Sequence, residues 1–318
     1  MTLMKSSKKS ASRIVDGIVL VNKPQGLTSN AVLQRVKHIF HAKKAGHTGS
    51  LDPLATGMLP ICLGEATKFC QYLLDANKSY RVTGMLGVTT DTGDALGQVV
   101  SQVDSVHCCE KALIEVLDQL KGPIQQVPPM YSALKHQGKP LYKYARSGVT
   151  IERPPRDVCI YDLQLHAFDG QMLDLTVTCS KGTYIRSLIE SIGNALGVGG
   201  HVTKLHRCYT AGFEQDSMVT LDELQGFDEV ELMTRLLPME RAVYSLPILE
   251  VSAAEINDLR NGKHVSRDAT ERELTGCVRL HDAQGHFIGL GELPSQGCLV
   301  TKRLLAFNTL PEADLSLT

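Results

Sequence analysis

The sequence predicts a protein of mixed helices and strands, with one large domain followed by a small, mostly-β one. Three observations lead there. The 318 residues leave room for a large domain and a small one. Up to about residue 210, segments with period-two alternation are interleaved with segments whose apolar residues recur every three or four positions. After Pro247 the pattern changes to short strand-like runs, 277–281, 287–290 and 298–304, separated by glycine-containing turns.

In chain order, residues 1–13 are polar, with Lys5, Lys8, Lys9 and Arg13 among serines. They lack the apolar run of a signal peptide. Such a segment is a disordered tail or a weak RNA-contacting arm. Ile14 to Val21 is apolar and β-branched, a strand. Lys23-Pro24-Gln25-Gly26 turns the chain, and Lys23 reads as a turn residue, with a phosphate contact as the alternative. Thr28 or Ser29 then caps a helix to about Phe40, with Val32, Val36, Ile39 and Phe40 on one face.

The next stretch, Gly46-His47-Thr48-Gly49-Ser50-Leu51-Asp52-Pro53-Leu54-Ala55-Thr56-Gly57, is too polar and glycine-rich for a helix or a central strand. It feeds an apolar run, Met58 to Leu63, that reads as a buried strand. Pro53 pushes Asp52 toward an extended backbone and so fixes the direction of its carboxylate. Asp-Pro also opens ordinary turns, so composition leaves both a turn residue and a catalytic carboxylate open.

Glu65 to Asp75 reads as a helix, Tyr80 to Leu86 as a strand, and Thr89 to Asp94 as a polar loop. Asp91 and Asp94 in that loop read as turn carboxylates, since a calcium loop needs more oxygen ligands at alternate positions. Glu110 to Leu120 is a helix stopped by Gly122-Pro123. Tyr131 to Arg146 holds four Lys/Arg, one His, three Tyr and no acid. Basic residues interleaved with aromatics suit looped or single-stranded RNA; an exposed helical hairpin broken at Gly138 and Pro140 is the alternative. Leu173 to Cys179 alternates as a half-buried strand. Gly182 to Leu196 turns into a helix that Gly197 stops.

Charge is unevenly spread. Residues 1–50 carry nine Lys/Arg and one Asp, whereas residues 211–318 carry nine Lys/Arg and eighteen Asp/Glu. Glu214 to Glu231 alone has seven acids and no Lys/Arg. The net charge of −1 therefore hides a polyanion-facing side and a side turned from it. The nine cysteines include no CxxC pair, which argues against a zinc ribbon and suits buried free thiols in a reducing cytoplasm. No run is apolar and long enough to span a membrane.

The run Gly46 to Phe69, GHTGSLDPLATGMLPICLGEATKF, resembles the signature of the TruB family of tRNA pseudouridine synthases. Lys23-Pro24-Gln25-Gly26, Tyr80-Arg81-Val82 and Ser180-Lys181-Gly182-Thr183-Tyr184-Ile185-Arg186 match at family-like positions, so the resemblance runs from about Gly17 onward. It implies an α+β fold with a central mixed sheet flanked by helices. It also implies a catalytic domain over 14–245, with an RNA-gripping insertion, often described as a thumb, around 124–152. A small PUA-like RNA-binding domain over 246–318 completes the expected chain.

By the same resemblance Asp52 is the catalytic residue and Arg186 its partner. Tyr80 stacks on the target base. His47, Tyr184 and Leu205 bind substrate. Lys68, Lys135, Lys139, Lys143 and Arg146 meet the RNA backbone. The implied partner is the T arm of tRNA, with uridine 55 as target. A cytoplasmic monomer without an obligatory protein partner is expected.

Pseudouridine formation breaks the uracil–ribose C–N bond, turns the base and rejoins it through carbon 5. The nucleotide must leave the stack for a pocket. One carboxylate suffices, unlike the paired acids of glycoside hydrolysis. Asp52 either attacks the ribose carbon or removes the 2′ proton to leave a glycal. Both need it ionised, and a neighbouring Arg186 is expected to lower its pKa. As an isomerisation the reaction demands no cofactor, and no metal cluster is apparent. The alternatives are the family's guide-RNA-dependent branch, a tRNA-binding folding factor, and a sugar hydrolase, which would need a second acid.

Overall fold

A computed structural model describes residues 14–266, 275–294 and 298–306. The basic segment 1–13, read above as a tail or an RNA arm, lies outside them.

The chain enters through β1 (Gly17–Lys23) and α1 (Ser29–Ile39). Thr28 caps α1, its hydroxyl accepting from the Ala31 N–H at 3.1 Å. Short β2 (Ala45–His47) leads to the Asp52 loop, then β3 (Thr56–Leu63) is buried along nearly its whole length. The expected helix over 65–75 is in fact two pieces, a 3₁₀ turn Gly64–Phe69 and a short α2 (Cys70–Asp75). β4 (Lys78–Leu86) follows, then a hairpin of β5 (Val88–Thr90) and β6 (Val99–Gln102) around the Asp91–Asp94 loop. α3 (Glu110–Gln119) ends before Gly122-Pro123, as expected, but those residues open a strand, β7 (Gly122–Gln126).

The basic insertion is neither one helix nor a helical hairpin. It forms β8 (Lys135–His136) and β9 (Lys139–Pro140), joined by Gln137 and Gly138 at φ 49° and 80°, and then α4 (Leu141–Ala145). Two consecutive positive φ values make the tight turn that suits a hairpin's twist. The larger domain continues through β10 (Arg156–Phe168), β11 (Met172–Cys179), α5 (Ile185–Ala195) and β12 (Gly200–Thr210). α6 (Leu221–Gly226) and α7 (Glu229–Thr234) follow. The acidic run supplies their capping boxes, Thr220 with Glu223 and Asp228 with Glu231.

The central sheet runs β1-β3-β12-β4-β11-β10-β7, with β2 added beside β3. β12 pairs with β3 in parallel and the other neighbours are antiparallel, so the sheet is mixed. α3 and α5 cover one part, burying Val82, Leu86, Leu113, Leu175, Ile189 and Ile192 among others. α1 and α6 cover β1 and β3 on another.

The C-terminal module pairs β13 (Ile248–Glu250), β14 (Gly276–His281), β15 (Phe287–Leu293) and β16 (Val300–Leu304) into a four-stranded sheet beside α8 (Ala253–Arg260). It is mostly β, as expected. Besides its own core, it shares one with the larger domain, where Leu290 and Leu305 join Ile18, Leu20, Met58, Phe69 and Phe213. Phe69 and Phe287 meet with ring centres 5.4 Å apart.

Lys68, expected on the RNA backbone, sits at this joint. Its Nζ donates to Glu65 at 2.5 Å and to the Leu304 carbonyl at 2.9 Å, while Glu65 accepts from the Ala306 N–H at 2.9 Å. The geometry gives Lys68 a tethering task. Among the described residues no helix is long and apolar enough to cross a membrane.

Candidate active site

Asp52 lies on the loop between β2 and β3, and that loop is pinned from several directions. The Ser29 hydroxyl, buried at the start of α1, donates to the Leu51 carbonyl at 3.0 Å and accepts the Leu51 N–H at 2.7 Å. Lys23 is fully buried, and its Nζ donates to the carbonyls of Ala55 at 2.6 Å and Pro24 at 2.9 Å. This settles Lys23 as a structural residue of the turn. The Gly26 N–H reaches the Pro53 carbonyl at 2.7 Å, and the Asp52 carbonyl accepts from Ala55 at 3.1 Å. Gly57, at φ 97°, crosses so close to Arg207 that a Cβ there would stand 2.3 Å from the Arg207 carbonyl oxygen. Only glycine fits.

The strand-to-helix turn after β11 brings Arg186 to this loop. Gln126 clamps that turn, donating to the Tyr184 carbonyl at 3.3 Å and accepting the Tyr184 N–H at 3.0 Å. Arg186, 4% exposed, places Nε 2.9 Å from Asp52 Oδ2. Its other nitrogens donate to the carbonyls of Thr92 at 2.6 Å and Tyr131 at 2.7 Å. One guanidinium thus joins the Asp52 loop, the Asp91–Asp94 loop and the root of the basic insertion.

Two cavities meet at this ion pair. One, of about 360 Å³, is lined by Asp52, Tyr80, Tyr184, Arg186 and Leu205, with Lys78 and Arg207 at its floor. It brings together five of the residues the resemblance assigned to catalysis and substrate. The other, of about 470 Å³, opens between Asp52, Asp94, Gln98, Tyr131 and Arg146. His47 lines neither. It sits half-buried at the end of β2, and burial, then the Arg207 charge, holds its imidazole below the usual range.

The electrostatics correct one expectation. Burial raises the Asp52 carboxyl above its ordinary value, and Asp94 adds to the rise. Arg186 opposes this, as its position requires, but does not win. The side chain keeps 38% of its surface open to the cleft. Asp94 is the turn carboxylate expected, accepting from the Thr92 hydroxyl at 2.8 Å and the Leu96 N–H at 3.0 Å. Burial also raises the Tyr80 and Tyr184 phenols.

Lys135, Lys139, Lys143 and Arg146 are all exposed on the insertion. Lys139 stands 4.4 Å over the Tyr144 ring, and Arg146 lies 5.5 Å from that of Tyr142. The pairing of cations with rings seen in the sequence is therefore physical. Among the described residues, no three His, Cys, Asp or Glu are grouped to hold a metal.

Gln126, Lys78 and Arg207 were not singled out from the sequence, and Ser29 only as a candidate helix cap. Each acts on a partner remote in the chain, or, like Lys78, on carbonyls that only the fold brings near.

Three family models account for most of the chain. The TruB family pseudouridylate synthase N-terminal domain matches residues 37–185, and the tRNA pseudouridylate synthase B C-terminal domain matches 186–244. The pseudouridine synthase II TruB C-terminal model matches 247–305. A tRNA pseudouridine synthase B of Legionella pneumophila (strain Philadelphia 1) is 52% identical over 295 residues, covering 92% of this chain and 96% of that one. One from Aeromonas salmonicida is 48% identical over 316 residues, covering 96% and 98%. Among solved structures, a chain of a Cbf5-Nop10-Gar1 complex superposes with a TM-score of 0.67 at 27% identity, covering 91% of this chain and 84% of that one. With a carboxylate–guanidinium pair at the cavity floor, the expected mixed sheet around it and these matches along its length, the chain is an isomerase that belongs to the TruB family of pseudouridine synthases.

Proposed function

We propose that this enzyme converts uridine to pseudouridine in tRNA, at position 55 of the T loop, with Asp52 as the acting carboxylate. The observation that carries the reading is the Arg186–Asp52 pair at 2.9 Å, facing a cavity walled by Tyr80, Tyr184 and Leu205. The names of the bacterial relatives supply the substrate class. The cavity is of the size small-ligand sites have and takes an everted pyrimidine nucleoside, not a paired one. Tyr80 and Leu205 offer the ring two apolar surfaces. Arg186 holds the carboxylate while that residue attacks the ribose carbon or takes the 2′ proton.

The exposed cations of 135–146 hold phosphates beside the cleft, because Arg186 ties the root of that segment to the same site. The C-terminal module is assigned a second RNA contact by family position.

The test is direct. Purified protein is incubated with a tRNA transcript, and the digested RNA is mapped for pseudouridine. The expected product is one pseudouridine, at position 55, lost when that uridine is changed to cytidine. Modification elsewhere with position 55 untouched would overturn the site assignment. Asp52→Asn separates the enzyme from a folding factor, since only the former needs the charge.

A further inference from the structure

The cavity floor holds more buried positive charge than its carboxylate matches. Arg207 heads the fully buried side chains in size, at 1% exposure. Its Nε donates to the Met58 carbonyl at 2.6 Å and its Nη2 to the Gly49 carbonyl at 3.1 Å. Among the described residues no carboxylate pairs with it. Lys78, 6% exposed, gives its ammonium to the carbonyls of Leu73, Leu74 and Ala76 at 3.1, 2.8 and 2.5 Å. Both line the cavity with Arg186, and the single carboxylate in that lining, Asp52, is taken by Arg186.

Burying a cation without a counter-charge is costly, and an apolar residue would make a more stable floor. Departures of this kind belong to functional sites. The charge is felt by its neighbours: after burial itself, Arg207 is the main influence holding Lys78 down to about 8.

We propose that Arg207, backed by Lys78, is an electrostatic site for the negative charge the uracil ring carries once its bond to ribose is broken. This rests on the pseudouridine-forming reading above. In that reaction the C1′–N1 bond breaks with its electron pair left on N1 and spread over O2 and O4. Meanwhile Asp52 either bonds to C1′ or takes the 2′ proton, whose C–H pair becomes the C1′–C2′ double bond. The ring turns and C5 supplies the pair for the new bond to C1′; the C5 proton then leaves to solvent, its C–H pair restores the C5–C6 double bond, and N1 takes up a proton. In the covalent route Asp52 departs with its own pair; in the glycal route it returns the 2′ proton. Between the two C–C and C–N events the pyrimidine is an anion. Fixed donors and charges aimed at such a group are worth more in a cavity than in water. Arg186 is committed to Asp52, which leaves Arg207 and Lys78, bonded to neutral carbonyls, as the positive charge in the lining that no carboxylate balances. Tyr80 lines the same cavity, its phenol against Arg207.

The experiment compares single-turnover cleavage of the C1′–N1 bond in T-arm stem–loops carrying uridine or 5-fluorouridine at the target. The fluorinated ring is the more acidic leaving group and needs less stabilisation. Arg207→Gln should slow the uridine RNA by roughly 100- to 1000-fold, the loss typical of one removed charge-stabilising donor, and the fluorinated RNA by roughly tenfold at most. Arg207→Lys should recover most of the uridine rate. Equal slowing of both RNAs, or none, would overturn the proposal.

Should Arg207→Gln fail to fold, wild-type enzyme gives a second measure. Free 5-nitrouracil ionises in mildly acidic solution, well below uracil, and should inhibit at least about tenfold more tightly as pH rises through that ionisation, a difference of about one pK unit in preference for the anion. Inhibition by neutral uracil should not change over the same range. A flat response to 5-nitrouracil overturns the proposal without touching the function reading. Wild-type enzyme that forms no pseudouridine in the uridine RNA removes both.

Discussion

The Asp52 loop and the basic insertion face one cleft and are held in opposite ways. The loop takes hydrogen bonds from Ser29, Lys23, Gly26 and Arg207, three of them through buried side chains. The insertion is a two-residue-per-strand hairpin and a five-residue helix, with exposed cations of which Lys139 and Arg146 stand over its own tyrosines. They are joined by one guanidinium, that of Arg186, which reaches Asp52 and the Tyr131 carbonyl together. The proposed chemistry needs a carboxylate fixed to within a fraction of an ångström. The proposed RNA contact needs charge and rings on a surface that adapts. Mutations in the two regions should therefore fail differently.

The largest effect is expected at Asp52. Asp52→Asn should lower turnover by at least ~10⁴-fold, the scale of losing a residue that acts as a unit with its partners, while tRNA affinity changes little. Because burial raises the folded-state pKa above the unfolded one, keeping Asp52 ionised at neutral pH costs stability. The amide removes that cost, and Arg186 keeps the Thr92 and Tyr131 carbonyls. Melting temperature should stay level or rise. Turnover, binding and melting are measured on one preparation, and a collapsed fold would return Asp52 to the role of a turn residue.

Ser29→Ala comes next. It strips the partner from both polar groups of Leu51, at a cost of about 1–3 kcal/mol. The loosened loop should lower kcat by roughly 10- to 100-fold with little change in KM. An unchanged kcat would mean the loop does not depend on this pin.

In the insertion the pattern should invert. Lys139→Ala with Lys143→Ala should weaken tRNA binding and reduce the slope of log affinity against log salt by about 1.5, leaving kcat at saturating tRNA and the melting temperature as they were. A fall in kcat would erase the contrast between the regions.

The smallest effect concerns pH. The proposed chemistry requires ionised Asp52, so the acid limb of activity should lie above the ordinary carboxylate range. Asp94→Asn removes a charge that raises the Asp52 pKa, so the limb should move downward. An upward move would show that Asp94 acts on Asp52 through structure instead of charge.

What the sequence made legible follows from how local each signal is. The α1 cap, the helix before Gly197 and the alternation of β11 are written within one element, and each appears where expected. β10 and β12 were hidden because register shifts interrupt their alternation, between Ile160 and Asp162 and between Val202 and Lys204 for example. Gly122-Pro123 reads as a stop, yet Pro123 occupies the edge strand β7, where a missing donor is tolerated.

The Asp52–Arg186 pairing came through family resemblance, not spacing. The supports of the site, Ser29, Gln126 and Arg207, meet partners from 22 to 158 positions away, and nothing in a single sequence marks such pairs. The rise in the Asp52 pKa was missed for a related reason: a partner can be guessed from a motif, but burial is a property of the fold.

The core shared by Ile18, Leu20, Met58 and Phe69 with Leu290 and Leu305 bears on the order of synthesis. Its first members leave the ribosome early, and the residues that finish covering them come more than two hundred positions later. At roughly 5–20 residues per second, that face waits on the order of ten to sixty seconds for its cover. Through that interval the nascent chain presents an apolar strip beside the strand that follows the Asp52 loop, the kind of surface chaperones meet. Translation of the last sixty or so residues is then also the step that seals the larger domain.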